Sequence, residues 1–326
     1  MSRKITISST PWPIRGSFTI SRGSKTEAVV LNVYIEENGI RAQGESVPYP
    51  RYGESVDSVT RQIKTILPAL EKGMTRLELQ DALAPGAARF AVDAALWDLE
   101  AKKAGKRAWE IAGISMAPAT TVYTLSLAEP GQMEQDARDN QDKPVLKLKL
   151  GGQGDLARVA AVRKGHPTAR IVVDANEAWS RDLYLELVPE LVKLGVEMIE
   201  QPFPAADDEA LRDLDRPITI CADESCHDRK SLPGLVGKYD MVNIKLDKTG
   251  GLTEALAMKK EAEALGFEIM TGCMLGSSLA MAPAMVVAQG SKLVDLDAPL
   301  LLSKDCEPGL VFNGVEITPP EKALWG

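Results

Sequence analysis

"PVLKLKLGG" (144–152) places Lys147 and Lys149 two residues apart in an otherwise apolar run. In a strand, residues i and i+2 share a face, so both ammonium groups point the same way. On an exposed edge such lysines blunt aggregation. In an enclosed strand, one lysine lowers the pKa of the other. The surrounding sequence decides between these readings. One similar β-rich run, "TVYTLSL", precedes it, and "RIVVDAN", "EMIEQPF", "ITICADES", "MVNIKLD", "FEIMTG" and "LVDLDAP" follow. Amphipathic helical segments such as "DLARVAAVRKG", "DLYLELVPELVKLG" and "LTEALAMKKEAEALG" separate most of them. Strands alternating with crossover helices imply a parallel sheet. Eight strands at intervals of about 25 residues predict an α/β protein with a closed, TIM-like (β/α)7β barrel. An open doubly wound sheet is disfavoured because no Gly-rich phosphate loop follows the first strand. A closed barrel has no edge to protect, so the two lysines face an interior.

Upstream, residues 4–47 alternate like strands, and "ENG" (37–39) is a hairpin turn signal between "VVLNVYIE" and "IRAQGES". From 54 to 116 the apolar spacing turns helical, in "SVDSVTRQIKTILPALEKG" and "GAARFAVDAALWDLEAKKAGK". These segments form an α+β unit over 1–116, with the barrel over 117–305.

The 326 residues carry 38 Lys+Arg against 46 Asp+Glu, a net charge of -8. That balance argues against nucleic-acid or anionic-membrane partners, which need a basic excess. Cys221, Cys226, Cys273 and Cys306 form no CxxC pair, and neither His166 nor His227 completes a zinc pattern with them. Reduced thiols in a cytoplasmic protein are the economical reading. The N-terminus has no apolar run of signal-peptide type, and "MLGSSLAMAPAMVVA" (274–288) is too short to span a bilayer.

The strands end in charge. Lys149, Asp174, Glu200, Asp223 and Lys245 close successive runs at spacings of 22 to 26 residues, and Asp295 and Asp297 close the eighth. In a parallel barrel these ends open on one mouth, where active sites of the fold sit. Singly, each acid reads as a cap for the next helix. Three on consecutive units repel each other unless a cation offsets them, and oxygen-only ligands favour Mg²⁺, then Mn²⁺. Lys149 and Lys245 fall on opposite sides of the barrel and could flank a substrate held at such an ion. Lys147, one layer deeper, would keep Lys149 neutral by like-charge repulsion.

The pattern "KLKL…VVDAN…EQP…ADES…NIKLDKTGG" resembles the muconate-lactonizing subgroup of the enolase superfamily. The resemblance spans the chain. It implies that 1–116 caps the barrel and that a tail over 306–326 returns to the cap. It also implies a lysine base with Mg²⁺ stabilising an enediolate. Within the subgroup, Asp295-x-Asp297 resembles the dipeptide epimerases, where such a pair binds the free α-ammonium of the N-terminal residue. The resemblance implies an isomerase that inverts the α-carbon of the C-terminal residue by 1,1-proton transfer between Lys149 and Lys245. Basic residues in "SRGSKTE" (21–27) suit an acidic side chain of the L-Ala-D/L-Glu type, with Arg22 and Lys25 competing to read it. The partner implied is a small dipeptide of murein peptide metabolism, and a homo-oligomer is compatible with the chain. Asn176 and Glu224 are expected to orient metal or lysine from behind. A cycloisomerase or o-succinylbenzoate synthase on the same scaffold would not need Asp295 and Asp297. A non-catalytic metal-stabilised ligand-binding protein would not need two opposed lysines.

Overall fold

A computed structural model describes residues 3–326. Its N-terminal sheet is an antiparallel meander of β1 (Lys4–Ile20), β2 (Gly23–Glu37) and β3 (Ile40–Ser46). The β2–β3 hairpin turns on Asn38 and Gly39, at φ 52° and 79°, as a two-residue turn that follows strand twist requires. Helices α1 (Val56–Glu71), α2 (Arg76–Ala82) and α3 (Ala87–Ala104) cover one face of the sheet. The closest approach is at Gly44 on β3, where any Cβ would lie 2.3 Å from the Ala91 carbonyl oxygen on α3. Only glycine lets the helix settle there.

After the short α4 (Ala108–Ile111) and β4 (Ala119–Thr120), the barrel begins. In chain order it comprises β5 (Tyr123–Leu125), α5 (Pro130–Asp139), β6 (Val145–Lys149), α6 (Asp155–Gly165), β7 (Arg170–Asp174), α7 (Arg181–Lys193), β8 (Val196–Glu200) and β9 (Thr219–Ala222). It continues with α8 (Leu232–Leu235), β10 (Met241–Lys245), α9 (Leu246–Thr249), α10 (Leu252–Ala264), β11 (Glu268–Gly272), α11 (Ser278–Ala288), β12 (Leu293–Val294) and α12 (Ala298–Leu301). The eight predicted strands pair in parallel in sequence order from β5 to β12. The β8–β9 crossover carries only a 3-10 turn at Glu209–Arg212.

The curled sheet is closed at its seam by few bonds. Val122 N–H donates to the Val294 carbonyl (2.9 Å), and Leu296 N–H to the Thr121 hydroxyl (2.8 Å). The floor of the barrel is one apolar layer of Val122, Val145, Val172, Met198, Cys221, Met241, Met270 and Leu293, one from each strand or its lead-in.

The tail forms β13 (Phe312–Asn313) and β14 (Glu316–Ile317), which pair with each other, and β14 pairs with β4 rather than with the N-terminal sheet. Its last residues reach α3: the Trp325 indole donates to the Ala94 carbonyl (2.9 Å), and Gly326 N–H to Asp98 (2.8 Å). At the join between sheet and barrel, Val47 N–H donates to Asp247 (2.6 Å), and Glu45 accepts from both the backbone and the hydroxyl of Ser277. Among the described residues no helix is long and apolar enough to cross a membrane. All four cysteines are free.

Candidate active site

A cavity of about 460 Å³ lies between the barrel mouth and the N-terminal unit. Lys149, Lys245, Asp223, Glu224, Asn176, Asp295 and Asp297 line it from the barrel; Arg22, Lys25, Tyr49 and Tyr52 line it from above. With eight strands in order, β6 and β10 have three strands between them on either side, so Lys149 and Lys245 stand across the barrel.

On the near arc, β7, β8 and β9 bring together Asp174, Glu200 and Asp223. Asp174 and Glu200 are direct partners in the β7–β8 register, and Asp223 follows β9 immediately. All three are buried. Burial and the neighbouring Asp174 push Glu200 up from the usual carboxylate range. Burial acts the same way on Asp174, but Lys149 and Lys147 outweigh it and hold that acid down. Asp223 is held well below its usual value because Lys245 and Lys248 overcome its burial.

Ammonium groups balance these acids. Lys149 Nζ lies 2.6 Å from Asp174 Oδ2, and Lys245 Nζ 2.7 Å from Asp223 Oδ2. Lys147 Nζ sits 2.6 Å from both Glu200 and Asp295 and 3.5 Å from Asp174. Burial would lower Lys147, yet Asp295, Glu200 and Asp174 hold it well above the ordinary lysine value. Its charge is therefore matched by three carboxylates rather than left bare.

The three carboxylates offer only oxygen donors on adjacent strand ends, the donor set that suits a hard divalent cation. As placed, their oxygens face lysines, and among the described residues no three such side chains stand in ligating geometry.

On the far arc, Asp295 is paired with Lys147, and Asp297 accepts from the Thr124 backbone N–H (2.6 Å). Burial and Asp295 push Asp297 up to about 7. Asn176, in the left-handed region at φ 45°, donates its N–H to Asp174 (3.0 Å). Glu224 accepts from Arg22 (2.7 Å); burial and then Asp223 push it up to about 7.

The two competing cations differ in their surroundings. Arg22 is bound by Glu224, the Asn176 carbonyl and Glu177, and Arg51 also pairs with Glu177. Lys25 sits 5.1 Å from the Tyr49 ring centroid and pairs with no carboxylate among the described residues.

Two residues of the site went unread in the sequence. Lys248 Nζ is 2.6 Å from Asp223 Oδ1 and also donates to the Asp223 and Asn243 carbonyls. Its signal was the second lysine of "KLDK", three residues past Lys245. Asn243, inside β10, donates to Glu200 (2.7 Å).

A family model described as "Mandelate racemase / muconate lactonizing enzyme, N-terminal domain" matches residues 2–113, and one described as "Enolase C-terminal domain-like" matches 132–322. The chain belongs to the enolase superfamily, in its mandelate racemase/muconate-lactonizing branch. Its relatives there include the L-Ala-D/L-Glu epimerase of Escherichia coli (strain K12), 46% identical over 97% of this chain and 99% of that protein. The N-acetyl-D-glutamate racemase of Pseudoalteromonas sp. is 43% identical over 91% and 95%. A crystal structure of an enolase family member from Agrobacterium tumefaciens superposes with a TM-score of 0.98 at 50% identity, covering 99% of this chain and 100% of that one. That structure is described as having homology to dipeptide epimerases and as holding sodium and L-Ala-L-Glu.

Proposed function

We propose that this chain is a Mg²⁺-dependent dipeptide epimerase of the L-Ala-D/L-Glu type, acting in the cytoplasm on murein-derived peptides. The observation that carries the reading is the pair of lysines on opposed strands, with three buried carboxylates on the arc between them and Asp295-x-Asp297 facing the same cavity.

The α-proton of a residue bearing a free carboxylate is very weakly acidic. Asp174, Glu200 and Asp223 would hold the Mg²⁺, which supplies Lewis-acid stabilisation for the charge that develops on the substrate carboxylate. One of Lys149 and Lys245 takes the α-proton of the C-terminal residue, and the other delivers a proton to the opposite face, inverting the centre. As placed, Lys245 is held cationic by Asp223 and Glu200 against its burial, the state of a proton donor. Lys147 balances the charge of Glu200, Asp295 and Asp174 beneath the cavity. Asp297, with Asp295, receives the α-ammonium of the N-terminal residue. Lys25 reads the acidic side chain, because it borders the cavity with no carboxylate of its own to satisfy. Arg22 and Arg51 tie the overlying loops to Glu224 and Glu177, excluding water from the proton transfers.

One observation favours a second reading. Asp295 is paired with Lys147 and Asp297 accepts from the Thr124 amide, so an ammonium would have to share both carboxylates with groups that already hold them. N-acetylglutamate lacks that ammonium and keeps both carboxylates. Incubation with Mg²⁺ in D₂O, using L-Ala-L-Glu and N-acetyl-L-glutamate in parallel, decides between them. The dipeptide is expected to gain deuterium at the Glu α-carbon much faster. Faster exchange in N-acetylglutamate would replace the first reading with the second, and exchange in neither would sink both.

A further inference from the structure

Behind the three carboxylates lies a buried polar network that no step above uses. Its centre is Gln201, fully buried and directly after Glu200. Its backbone is at φ 37°, a region a non-glycine residue keeps only when its surroundings over-determine it. They do so here. Gln201 Oε1 accepts from the backbone N–H groups of Asp223 (2.9 Å) and Ser225 (3.1 Å). Because backbone amides only donate, the orientation of the carboxamide is fixed. Its Nε2 faces the Phe203 carbonyl, the Ser225 hydroxyl and the Tyr239 hydroxyl, each at 2.9 Å. Ser225 and Tyr239 in turn donate to Asp208 (2.7 and 2.8 Å), which Lys238 neutralises. The main chain of Gln201 is bonded on both sides: its N–H donates to the Cys221 carbonyl, and its carbonyl accepts from Glu177 N–H, both at 2.9 Å.

One side chain thus links the end of β8, which carries Glu200, to the segment after β9, which carries Asp223 and Glu224. Its main-chain carbonyl, by accepting from Glu177 N–H, also supports the acid that Arg22 and Arg51 grip. We propose that Gln201 is a positioning residue that fixes the Asp223–Ser225 segment, and with it the Asp223 carboxylate, relative to Glu200. A side chain serving packing alone would not bond two alternate backbone N–H groups on a neighbouring strand end.

The proposal has one consequence independent of the metal and one that rests on the metal reading above. Amide hydrogen exchange of the full chain, without metal, reads the first. Gln201→Leu is expected to speed exchange in the peptide covering 222–226 about 10-fold, while Gln201→Glu, whose buried carboxyl when protonated keeps an acceptor for both N–H groups and a donor for the Phe203 carbonyl, stays within about threefold of wild type. Mn²⁺ titration followed by electron paramagnetic resonance reads the second: affinity should fall about 10-fold in Gln201→Leu and be largely recovered in Gln201→Glu. Unchanged exchange in a folded Gln201→Leu chain overturns the proposal, as does equal damage in the Leu and Glu variants. If Gln201→Leu does not fold, Gln201→Asn, one methylene too short, carries the same expectation and the same overturning result. A wild-type chain that binds no Mn²⁺ but shows the exchange difference removes the metal reading and leaves the positioning role supported.

Discussion

Each side of the barrel carries two lysines, one at the cavity and one beneath it. On β6 these are Lys149 and Lys147, 8% and 1% exposed; on β10 and α9 they are Lys245 and Lys248, 5% and 2% exposed. The deeper pair differ in what holds them. Lys147 is surrounded by the carboxylates of Asp174, Glu200 and Asp295, so its work is charge balance. Lys248 touches one carboxylate and two backbone carbonyls, so it ties the chain after β9 to the chain within β10. Similar burial and the same side chain thus serve as a counter-ion on one side and a clamp on the other.

The largest effects should come from the cavity-facing pair. Lys149→Ala and Lys245→Ala are each expected to lower epimerisation by about 10³-fold or more. Proton NMR in D₂O should show that one of them still exchanges the α-proton of a single epimer. Full activity in either variant breaks the two-lysine model. The deeper pair come next. Lys147→Met leaves three buried acids facing each other, a loss of roughly 3–5 kcal/mol. Thermal melts should show much of that loss recovered by added Mg²⁺, which can replace the missing charge. Lys248→Met removes one of the two cations on Asp223 but also the donor to two backbone carbonyls, which Mg²⁺ cannot replace, so Mg²⁺ should recover a smaller share of its lost stability. Equal recovery in the two variants would erase the distinction between counter-ion and clamp.

A smaller effect is expected at Asp297. Asp297→Asn should raise KM for L-Ala-L-Glu about 10-fold while leaving exchange of N-acetyl-L-glutamate nearly unchanged. The smallest concerns the join between the two units. Burial pushes Asp247 up from 3.8 to about 8, so the folded state keeps a proton the unfolded chain has lost. Its contribution to stability is complete below pH 3.8 and is lost as pH rises towards 8. Asp247→Asn keeps an acceptor for Val47 and cannot titrate. Its melting temperature should therefore fall less than wild type between pH 5 and pH 8, by a few degrees.

The barrel was legible because six of its eight strands announce themselves twice, by an apolar β-rich run and by a charge at the C-terminal end. Lys149, Asp174, Glu200, Asp223 and Lys245 could be placed on one mouth from spacing alone, since a parallel barrel leaves nowhere else for strand ends to meet. Lys248 was passed over because it lies in a helical turn, where period-2 reasoning has no force. Arg22 and Lys25 could not be separated for a different reason. What distinguishes them is a pairing with Glu177 and Glu224, 155 and 202 residues away, and no local pattern encodes such a contact. Gln201 left only a faint trace: a polar residue before a proline reads as a loop, not as a tie between two strand ends.

The seam between β5 and β12 has a bearing on how this scaffold can change. Every other neighbouring pair of strands is stitched by a ladder, while here the ring depends on Val122, Thr121 and the residues they meet. Asp297 hangs from that junction through Thr124. The part of the cavity proposed to meet the amino end of a substrate is therefore built beside the one junction of the barrel that has no ladder among the described residues. Asp295 stays tied to the carboxylate cluster through Lys147, so the Asp297 side of the cavity is the natural place for the scaffold to acquire a new substrate.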